Sequence, residues 1–146
     1  MNSRWILLAE DDPKDAELTR RALAESKAGD IVIAHDGAEA LICLRKVDAD
    51  HACSSRPCVV LLDLKMPRID GLEVLRQIKT DPQLRTIPVV MLTSSRQEKD
   101  VAQSYDLGAN AYVVKPVSFA EFREALREVG SFWAAINELP PQAVVK

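Results

Sequence analysis

Residues 58–67 read CVVLLDLKMP, and this stretch decides the fold of the chain. Its first residues are apolar and carry no charge, and Asp63 then follows as a single acid before Met66-Pro67. An unbroken apolar run of this length is typical of a strand that is buried on both faces, as in a parallel sheet. Asp63 stands where this strand ends, at the edge of an α/β sheet that binds ligands. We therefore predict that Asp63 is a nucleophile that accepts a phosphoryl group.

The composition is that of one compact domain. The chain has 146 residues and a formal net charge of -3, and no stripe of Lys and Arg stands out. We therefore expect no nucleic-acid surface, and no apolar run approaches the roughly 20 residues that span a bilayer. Because the first residues lead directly into a strand and do not resemble a signal peptide, we expect a cytoplasmic protein without a membrane partner. The odd set of Cys43, Cys53 and Cys58 fits a reducing compartment, and a zinc site would lack its second Cys/His pair.

Short apolar strands alternate with helical patterns along the chain. Besides 58–62, strand patterns cover 5–9, 31–34, 88–92 and 111–114. Helical spacing, caps and breakers predict helices over about 15–28, 36–46, 70–80 and 97–107 and from 118 onward, with a polar surface loop at 47–57. Right-handed crossovers then predict an α/β, flavodoxin-like fold: a five-stranded parallel sheet in the order 2-1-3-4-5 with helices on both faces. We assign 1–140 to this domain, with an extended C-terminal helix, and 141–146 to a loose tail.

Several side chains with acid, hydroxyl or ammonium groups follow directly after predicted strands. They are Glu10, Asp11, Asp63, Thr93 and Lys115. The carboxyl ends of parallel strands share one edge, and the first and third strands are neighbours in the predicted order, so Asp11 and Asp63 face each other across a crevice. Clustered carboxylates repel one another unless a cation joins them. Mg²⁺ fits this set because it prefers oxygen ligands and is commonly held by carboxylates, water and a phosphate.

Each of these groups has a predicted role in phosphoryl transfer. The two facing aspartates bind Mg²⁺ directly, Glu10 binds it through water, and the main-chain carbonyl of Lys65 supplies a further oxygen. The metal offsets phosphoryl charge while Asp63 attacks phosphorus to form an acyl phosphate. Lys115 acts as a point charge on one phosphoryl oxygen, and the Thr93 hydroxyl donates a hydrogen bond to another.

The motifs at these strand ends carry a family resemblance. In chain order they are Asp11-Asp12, Asp-x-x-Met-Pro at 63–67, Thr93-Ser94 and Lys115-Pro116. Over nearly the whole chain this pattern resembles the receiver domain of two-component response regulators. The resemblance implies phosphotransfer from a phosphohistidine on a sensor histidine kinase to Asp63. It also implies a switch, in which Thr93 is drawn inward, Tyr112 rotates inward and the surface of the fourth helix, fifth strand and fifth helix changes.

A narrower resemblance is to the single-domain receivers that partner bacterial phytochromes. It rests on Glu-Asp-Asp-Pro at 10–13, the long loop before Pro57 and the ending at 132–140, and it implies a light-regulated histidine kinase as the donor. Two positions depart from the receiver pattern. Lys65 stands where Asn is frequent, so a cation beside the phosphate would alter its hydrolysis. Ser94 stands where a smaller residue is frequent, and it would alter access to the acyl phosphate.

The last helix carries an apolar stripe that is longer than the domain needs. Its members are Phe119, Phe122, Leu126, Val129, Trp133 and Ile136. Half of this stripe covers the sheet, whereas Phe132, Trp133 and Ile136 extend past the expected end of the domain. An apolar surplus of this kind suggests a partner surface, so we predict a homodimer whose contacts include Phe122 and these three residues. The alternative is a tail that folds back on its own domain.

A phosphatase of the haloacid-dehalogenase type is the main alternative function, since that class also uses Asp, Mg²⁺, Thr and Lys. Such enzymes carry an Asp-x-Asp motif whose second acid serves as general acid or base. In this chain Lys65 occupies the position of that second acid. A flavin carrier would need a phosphate loop where the acids at 10–12 repel phosphate, and a nicotinamide site would need Gly-x-Gly-x-x-Gly. We therefore predict a signalling receiver and not a metabolic enzyme. Because the chain ends soon after the fifth helix, we expect output through protein contact or phosphate relay, without a DNA-binding domain.

Overall fold

One parallel sheet of five strands, in the order β2-β1-β3-β4-β5, forms the centre of the fold. The computed structural model of the protein describes residues 4–26, 29–49 and 56–141. The strands are β1 (Trp5–Ala9), β2 (Asp30–Ala34), β3 (Val59–Leu62), β4 (Val89–Thr93) and β5 (Ala111–Val114). The helices are α1 (Pro13–Ala24), α2 (Gly37–Ala49), α3 (Gly71–Thr80), α4 (Glu98–Asp106) and α5 (Phe119–Ser131), followed by a π-helical turn, Phe132–Ile136. The predicted α/β, flavodoxin-like architecture with strand order 2-1-3-4-5 is confirmed.

Strand β3 lies in the middle of the sheet, as its unbroken apolar sequence predicts. Its residues have no exposed surface, and it pairs in parallel with β1 on one side and with β4 on the other. Full burial of a side chain of the size of Val or Leu contributes roughly 1.5–3 kcal/mol. The end of β3 is therefore held firmly in place, and Asp63 follows from it directly.

Helices cover both faces of the sheet because a strand directs alternate side chains to opposite faces. Val60 and Leu62 of β3 join a core that includes apolar side chains of α2 and α3. Val59 and Leu61 join a second core that includes side chains of α1 and α5. The crossover helices thus close the sheet on either side and leave the carboxyl ends of its strands open.

Helix α1 is shorter than predicted. It begins at Pro13 because the Asp12 carboxylate accepts main-chain hydrogens from the first turn and caps the helix. It ends at Ala24, so the predicted extension to Ala28 is wrong, although residues 27 and 28 themselves lie outside the described residues.

Helix α2 is longer than predicted. It continues to Ala49 and takes up the first part of the predicted loop at 47–57. Residues 38–49 contain no Gly or Pro, so nothing in the local sequence stops the helix there. The middle of that loop, which includes Cys53, lies outside the described residues.

The starts of α2 and α5 are capped as the sequence predicts, but in α2 the reciprocal contact of the capping box reaches one residue further back than usual. The Asp36 carboxylate accepts the main-chain hydrogen of Glu39 at 2.8 Å, and the Glu39 carboxylate accepts that of His35 at 3.3 Å, one residue before the cap. The Ser118 hydroxyl accepts the main-chain hydrogen of Glu121 at 3.4 Å. Both helices therefore begin where their sequences indicate.

The C-terminal segment folds back on its own domain. Arg4, just before β1, donates through its guanidinium to the carbonyl oxygens of Ala134 at 2.6 Å and Asn137 at 3.3 Å. Trp133 and Leu139 pack partly against the core under α1 and α5. The π-helical turn is thus anchored to Arg4, just before β1. Residues 142–146 of the predicted loose tail lie outside the described residues.

The apolar stripe of the last helix divides between core and surface. Phe122 is only 7% exposed and belongs to the core, so the prediction that it contributes to a dimer surface does not hold. Phe132 and Ile136 are 43% and 70% exposed. Within the described residues, no helix combines the length and the apolar character needed to cross a bilayer.

Candidate functional site

Three acids meet where β1 and β3 end. Ala9 and Leu62 are partners in the sheet register, and the amide of Asp63 donates to the carbonyl of Ala9 at 3.2 Å. The acids that follow these strands, Glu10, Asp11 and Asp63, each offer a carboxylate oxygen, and these oxygens lie within 4.8 Å of one another. The predicted convergence of these acids is therefore observed.

Asp12, the next acid in the sequence, caps a helix and is not part of the acid cluster. Its carboxylate caps α1, with the amide of Lys14 at 2.9 Å. Its own amide donates to Glu10 at 3.2 Å and fixes that carboxylate in the turn. Of the adjacent Asp11 and Asp12, only Asp11 thus has a carboxylate in the acid cluster.

Lys115 reaches the acid cluster from the end of β5. Its amide donates to the Thr93 carbonyl at 2.8 Å, which continues the pairing of β5 with β4 and aims the side chain across the edge. The ammonium nitrogen lies 2.5 Å from Glu10 Oε1, 3.4 Å from Asp15 Oδ2 and 3.6 Å from Asp63 Oδ2. One cation thus faces several carboxylates, and the cluster remains short of positive charge.

Burial and neighbouring charges shift the pKa values of Glu10 and Lys115. Glu10 is 3% exposed, and burial, with the charge of Asp63 in addition, raises its pKa to about 7 against the opposing hydrogen bond from Lys115. Burial alone would lower the pKa of Lys115, but the hydrogen bond to Glu10 and the charges of Asp63, Glu10 and Asp15 raise it. Lys115 therefore stays protonated at neutral pH, whereas Glu10 is partly protonated there.

A divalent cation suits this arrangement. Carboxylate oxygens from adjacent turns, close enough to share one ion, are the donors that Mg²⁺ and Mn²⁺ accept. Among the described residues, no donor is recorded at the main-chain carbonyl oxygen of Lys65. Its part in the donor set stays a prediction.

Thr93 and Ser94 line the other side of Asp63. Together with Lys65, Ser95, Arg96 and Gln97 they enclose a cleft of about 290 Å³ that opens on Asp63. Thr93 is buried, and its hydroxyl accepts the amide hydrogen of Ser95 at a long 3.4 Å. Ser94 is exposed and lines the cleft, and its predicted effect on access to the acyl phosphate stays a prediction.

Tyr112 connects β5 to the loop that carries these hydroxyls. Its phenol donates to the Ser95 carbonyl at 3.0 Å, and the Ser95 hydroxyl donates to the Asp100 carboxylate at 2.5 Å. Tyr112 is thus linked through Ser95 to Asp100 in the first turn of α4.

Sequence reasoning missed two residues of the site. Asp15 contacts Lys115, and the signal for it in the sequence is its place in the first turn of α1, directly after the acids at 10–12. Arg96 lines the cleft beside Asp63, and no motif marks it. The tail residues Phe132 and Ile136 are not among the residues that line the cleft.

The geometry can be compared with known proteins. A sequence model of the family described as the response regulator receiver domain matches residues 6–127. The chain is 38% identical over 136 residues to the response regulator Rcp1 of Synechocystis sp., and the match covers 92% of each chain. The crystal structure of Mn²⁺-bound Rcp1 has a TM-score of 0.82 to this chain at 37% identity, covering 94% of this chain and 99% of Rcp1.

Two further solved structures resemble the chain over nearly all of its length. The phosphorylated cyanobacterial phytochrome response regulator RcpA has a TM-score of 0.87 at 39% identity, covering 96% of this chain and 100% of RcpA. The bacteriophytochrome response regulator AtBRR has a TM-score of 0.71 at 52% identity, covering 94% of this chain and 100% of AtBRR.

These matches include every element that positions the site. The region matched by the family runs from β1 into α5 and contains the acid cluster, the hydroxyl cleft and Lys115. They support the receiver interpretation over the haloacid-dehalogenase alternative. The chain belongs to the response regulator receiver domain family of two-component signalling proteins.

Proposed function

We propose that this protein is a single-domain response regulator whose Asp63 accepts a phosphoryl group from a sensor histidine kinase, with a phytochrome as that kinase. The observation that carries the proposal is the convergence of Glu10, Asp11 and Asp63 within 4.8 Å of one another, faced by Lys115. The resemblance to Rcp1, RcpA and AtBRR over nearly their whole length supports the light-regulated partner.

In the proposed reaction an Asp63 carboxylate oxygen attacks phosphorus. The new bond is O–P, the N–P bond to the histidine breaks, and the imidazole leaves with the electron pair. Mg²⁺, held by Asp11, Asp63 and the Lys65 carbonyl with Glu10 through water, would offset negative charge on the phosphoryl group.

The remaining contacts position the phosphoryl oxygens. Lys115, already 3.6 Å from Asp63 Oδ2, provides a fixed positive charge for one of them. The Thr93 hydroxyl, weakly engaged with Ser95, donates to another. Loss of the Thr93–Ser95 contact frees the loop that Tyr112 holds, so the surface formed by α4, β5 and α5 changes.

Several properties of the chain complete the proposal. The protein is a signalling switch without a metabolic activity, because Lys65 stands where a phosphatase of the alternative class has its second acid. It acts in the cytoplasm, in keeping with Cys43 and Cys58, which are free thiols. It binds no nucleic acid, in keeping with its net charge of -3.

Incubation of the protein with acetyl phosphate and Mg²⁺, followed by intact mass measurement, tests this function. We expect one phosphoryl adduct that hydroxylamine releases, that maps to Asp63, and that does not form in the presence of a chelator. With p-nitrophenyl phosphate we expect no continuous turnover. A protein that stays unmodified under these conditions, or that turns over phosphate monoesters, contradicts the proposal.

We also propose that the protein forms a homodimer through its C-terminal turn. Phe132 and Ile136 are exposed on that turn, while Trp133 stands edge-on to Phe132 with ring centroids 5.0 Å apart and is itself partly buried. A rigid turn that presents two apolar side chains suits a self-complementary contact.

An Ile136→Glu variant is expected to sediment as a monomer where the native protein sediments as a dimer, because a charge at the contact must be desolvated. Ile42→Glu on α2 is the matched control, since Ile42 is 55% exposed and lies on a different helix. The homodimer proposal is wrong if the native protein is a monomer, or if both variants change sedimentation equally.

A further inference from the structure

The cleft beside Asp63 is lined by groups that attract an anion. Apart from Asp63 itself, every residue that lines it has a side chain that donates hydrogen bonds. These residues are Lys65, Thr93, Ser94, Ser95, Arg96 and Gln97. A phosphoryl group attached to Asp63 therefore meets surroundings that favour its negative charge.

Arg96 is a cation of this cleft that is available to a new anion. Its side chain is exposed, and no hydrogen bond or ion pair of its guanidinium is recorded among the described residues, whereas Lys115 is already held by carboxylates. Lys65 also lines the cleft, but Leu64 and Met66 on either side of it are buried and hold its loop in place. The planar guanidinium also matches two phosphoryl oxygens at once, which an ammonium does not.

Ser95, the neighbour of Arg96, connects the cleft to α4 and β5. Its amide is 3.4 Å from the Thr93 hydroxyl, beyond the usual range for such a bond. Its hydroxyl is 2.5 Å from the Asp100 carboxylate on α4, and its carbonyl is 3.0 Å from the Tyr112 phenol on β5. The loop is thus tied more firmly to α4 and β5 than to the site, and a contact between Arg96 and the site would act against that tie.

We propose that Arg96 binds two oxygens of the phosphoryl group on Asp63 and draws the loop at 94–97 over the cleft. The inference rests on the proposed function, because it requires Asp63 as the phosphoryl acceptor. A phosphate that faces an arginine forms charge-assisted hydrogen bonds, and such bonds order loops. The movement of Arg96 carries Ser95 with it and so alters the contacts of Ser95 with Asp100 and Tyr112.

Closure of this loop also protects the acyl phosphate from hydrolysis. In that reaction water attacks phosphorus roughly in line with the bond to Asp63, the O–P bond to Asp63 breaks, and inorganic phosphate leaves. The cleft opens on Asp63, and a guanidinium bound across it keeps water from the phosphorus. Loss of Arg96 therefore shortens the lifetime of the adduct.

Phenylglyoxal, a reagent that modifies free guanidinium groups, tests whether the phosphoryl group engages Arg96. With acetyl phosphate and Mg²⁺ present, we expect Arg96 to be modified at least about tenfold more slowly, the ratio that one hydrogen bond to a charged group supports. Arg85 is the internal control, because it is exposed and does not line the cleft. Intact mass of the same samples gives the phosphorylated fraction, and Asp63→Asn protein is expected to show no slowing. Equal modification of Arg96 in phosphorylated and unphosphorylated protein overturns the proposal.

The lifetime of the adduct after removal of acetyl phosphate tests closure of the loop. We expect a shorter lifetime for Arg96→Gln, an intermediate one for Arg96→Lys, which keeps the charge without the fork, and the native lifetime for Arg85→Gln. An Arg96→Gln adduct that lasts as long as the native one, or longer, overturns the closure. Native protein that is phosphorylated but shows neither effect refutes the role of Arg96 alone. Native protein that takes up no phosphoryl group overturns the proposed function and this role together.

Discussion

Asp63→Asn protein is expected to take up no phosphoryl group from acetyl phosphate in the presence of Mg²⁺. The amide oxygen of asparagine is a far weaker nucleophile than a carboxylate, and Glu10 cannot replace it. Glu10 is buried against Lys115 at 2.5 Å, so it cannot approach a group held in the cleft between Asp63 and Thr93. Intact mass before and after incubation measures the outcome.

Asp12→Asn is the matched control for this substitution. Asp12 is the neighbour of Asp11, but its carboxylate caps α1, and asparagine is an equally good cap. We therefore expect normal phosphorylation of the Asp12 variant. An adduct of undiminished yield on the Asp63 variant would exclude Asp63 as the acceptor. Loss of the adduct from both variants would mean that the effect is not specific to residue 63.

Asp63→Asn should also change the pH dependence of the protein's stability. Burial raises the pKa of Glu10 to about 7, and the charge of Asp63 adds to this. A carboxyl whose pKa is higher in the folded than in the unfolded protein costs stability as pH rises from its unfolded pKa, near 4.5, through about 7. Removal of the Asp63 charge lowers this cost, so without metal the Asp63 variant should gain stability over the native protein at pH 8 and gain little at pH 5. Thermal unfolding at both pH values measures this difference.

Much of the fold was predictable because the dominant signals are local. The apolar run at 58–62 is typical of a strand buried on both faces, and the structure places it at the centre of the sheet. The start of α3 followed from Asp70-Gly71, since the Asp70 carboxylate caps that helix. The end of α2 did not follow, because its sequence contains no breaker and the helix continued to Ala49.

The candidate site was predictable to the extent that strand ends share an edge. Glu10, Asp11, Asp63 and Lys115 each follow a strand, and parallel topology alone brings them together. The contact of Arg68 with Asp36 depends on how two separate loops approach each other, and no pattern in either segment reports it. The same limit applies to the tail, because Arg4 and Ala134, which hold it, lie at opposite ends of the chain.

Lys115→Met is expected to slow phosphorylation by acetyl phosphate at least about 100-fold, because the loss of one preorganised charge or donor at the reacting centre typically costs 10²–10³ in rate. Lys115 is the cation recorded within ion-pair distance of Asp63 among the described residues. Lys65→Met is the matched control, since Lys65 also lines the cleft but is exposed there. We expect the control to change the rate much less.

Lys115→Met should also destabilise the metal-free protein in a manner that depends on pH. The hydrogen bond from Lys115 opposes the effect of burial on Glu10, so its loss raises the pKa of Glu10 further above 4.5. The folded protein then either keeps an unpaired buried carboxylate or binds a proton. At pH 8 this costs on the order of 3 kcal/mol, as for a buried ion pair that loses one partner, and at pH 5 protonation removes most of the cost.

Mg²⁺ provides the decisive comparison for this variant. If a divalent cation occupies the acid cluster, it replaces the missing positive charge, and Lys115→Met protein should regain stability at pH 8 by a larger margin than the native protein does. Thermal unfolding of both proteins at pH 5 and pH 8, with and without Mg²⁺, measures this margin. Equal stabilisation of the two proteins by Mg²⁺ would mean that the metal and Lys115 act on different carboxylates, and the site as assigned would be wrong.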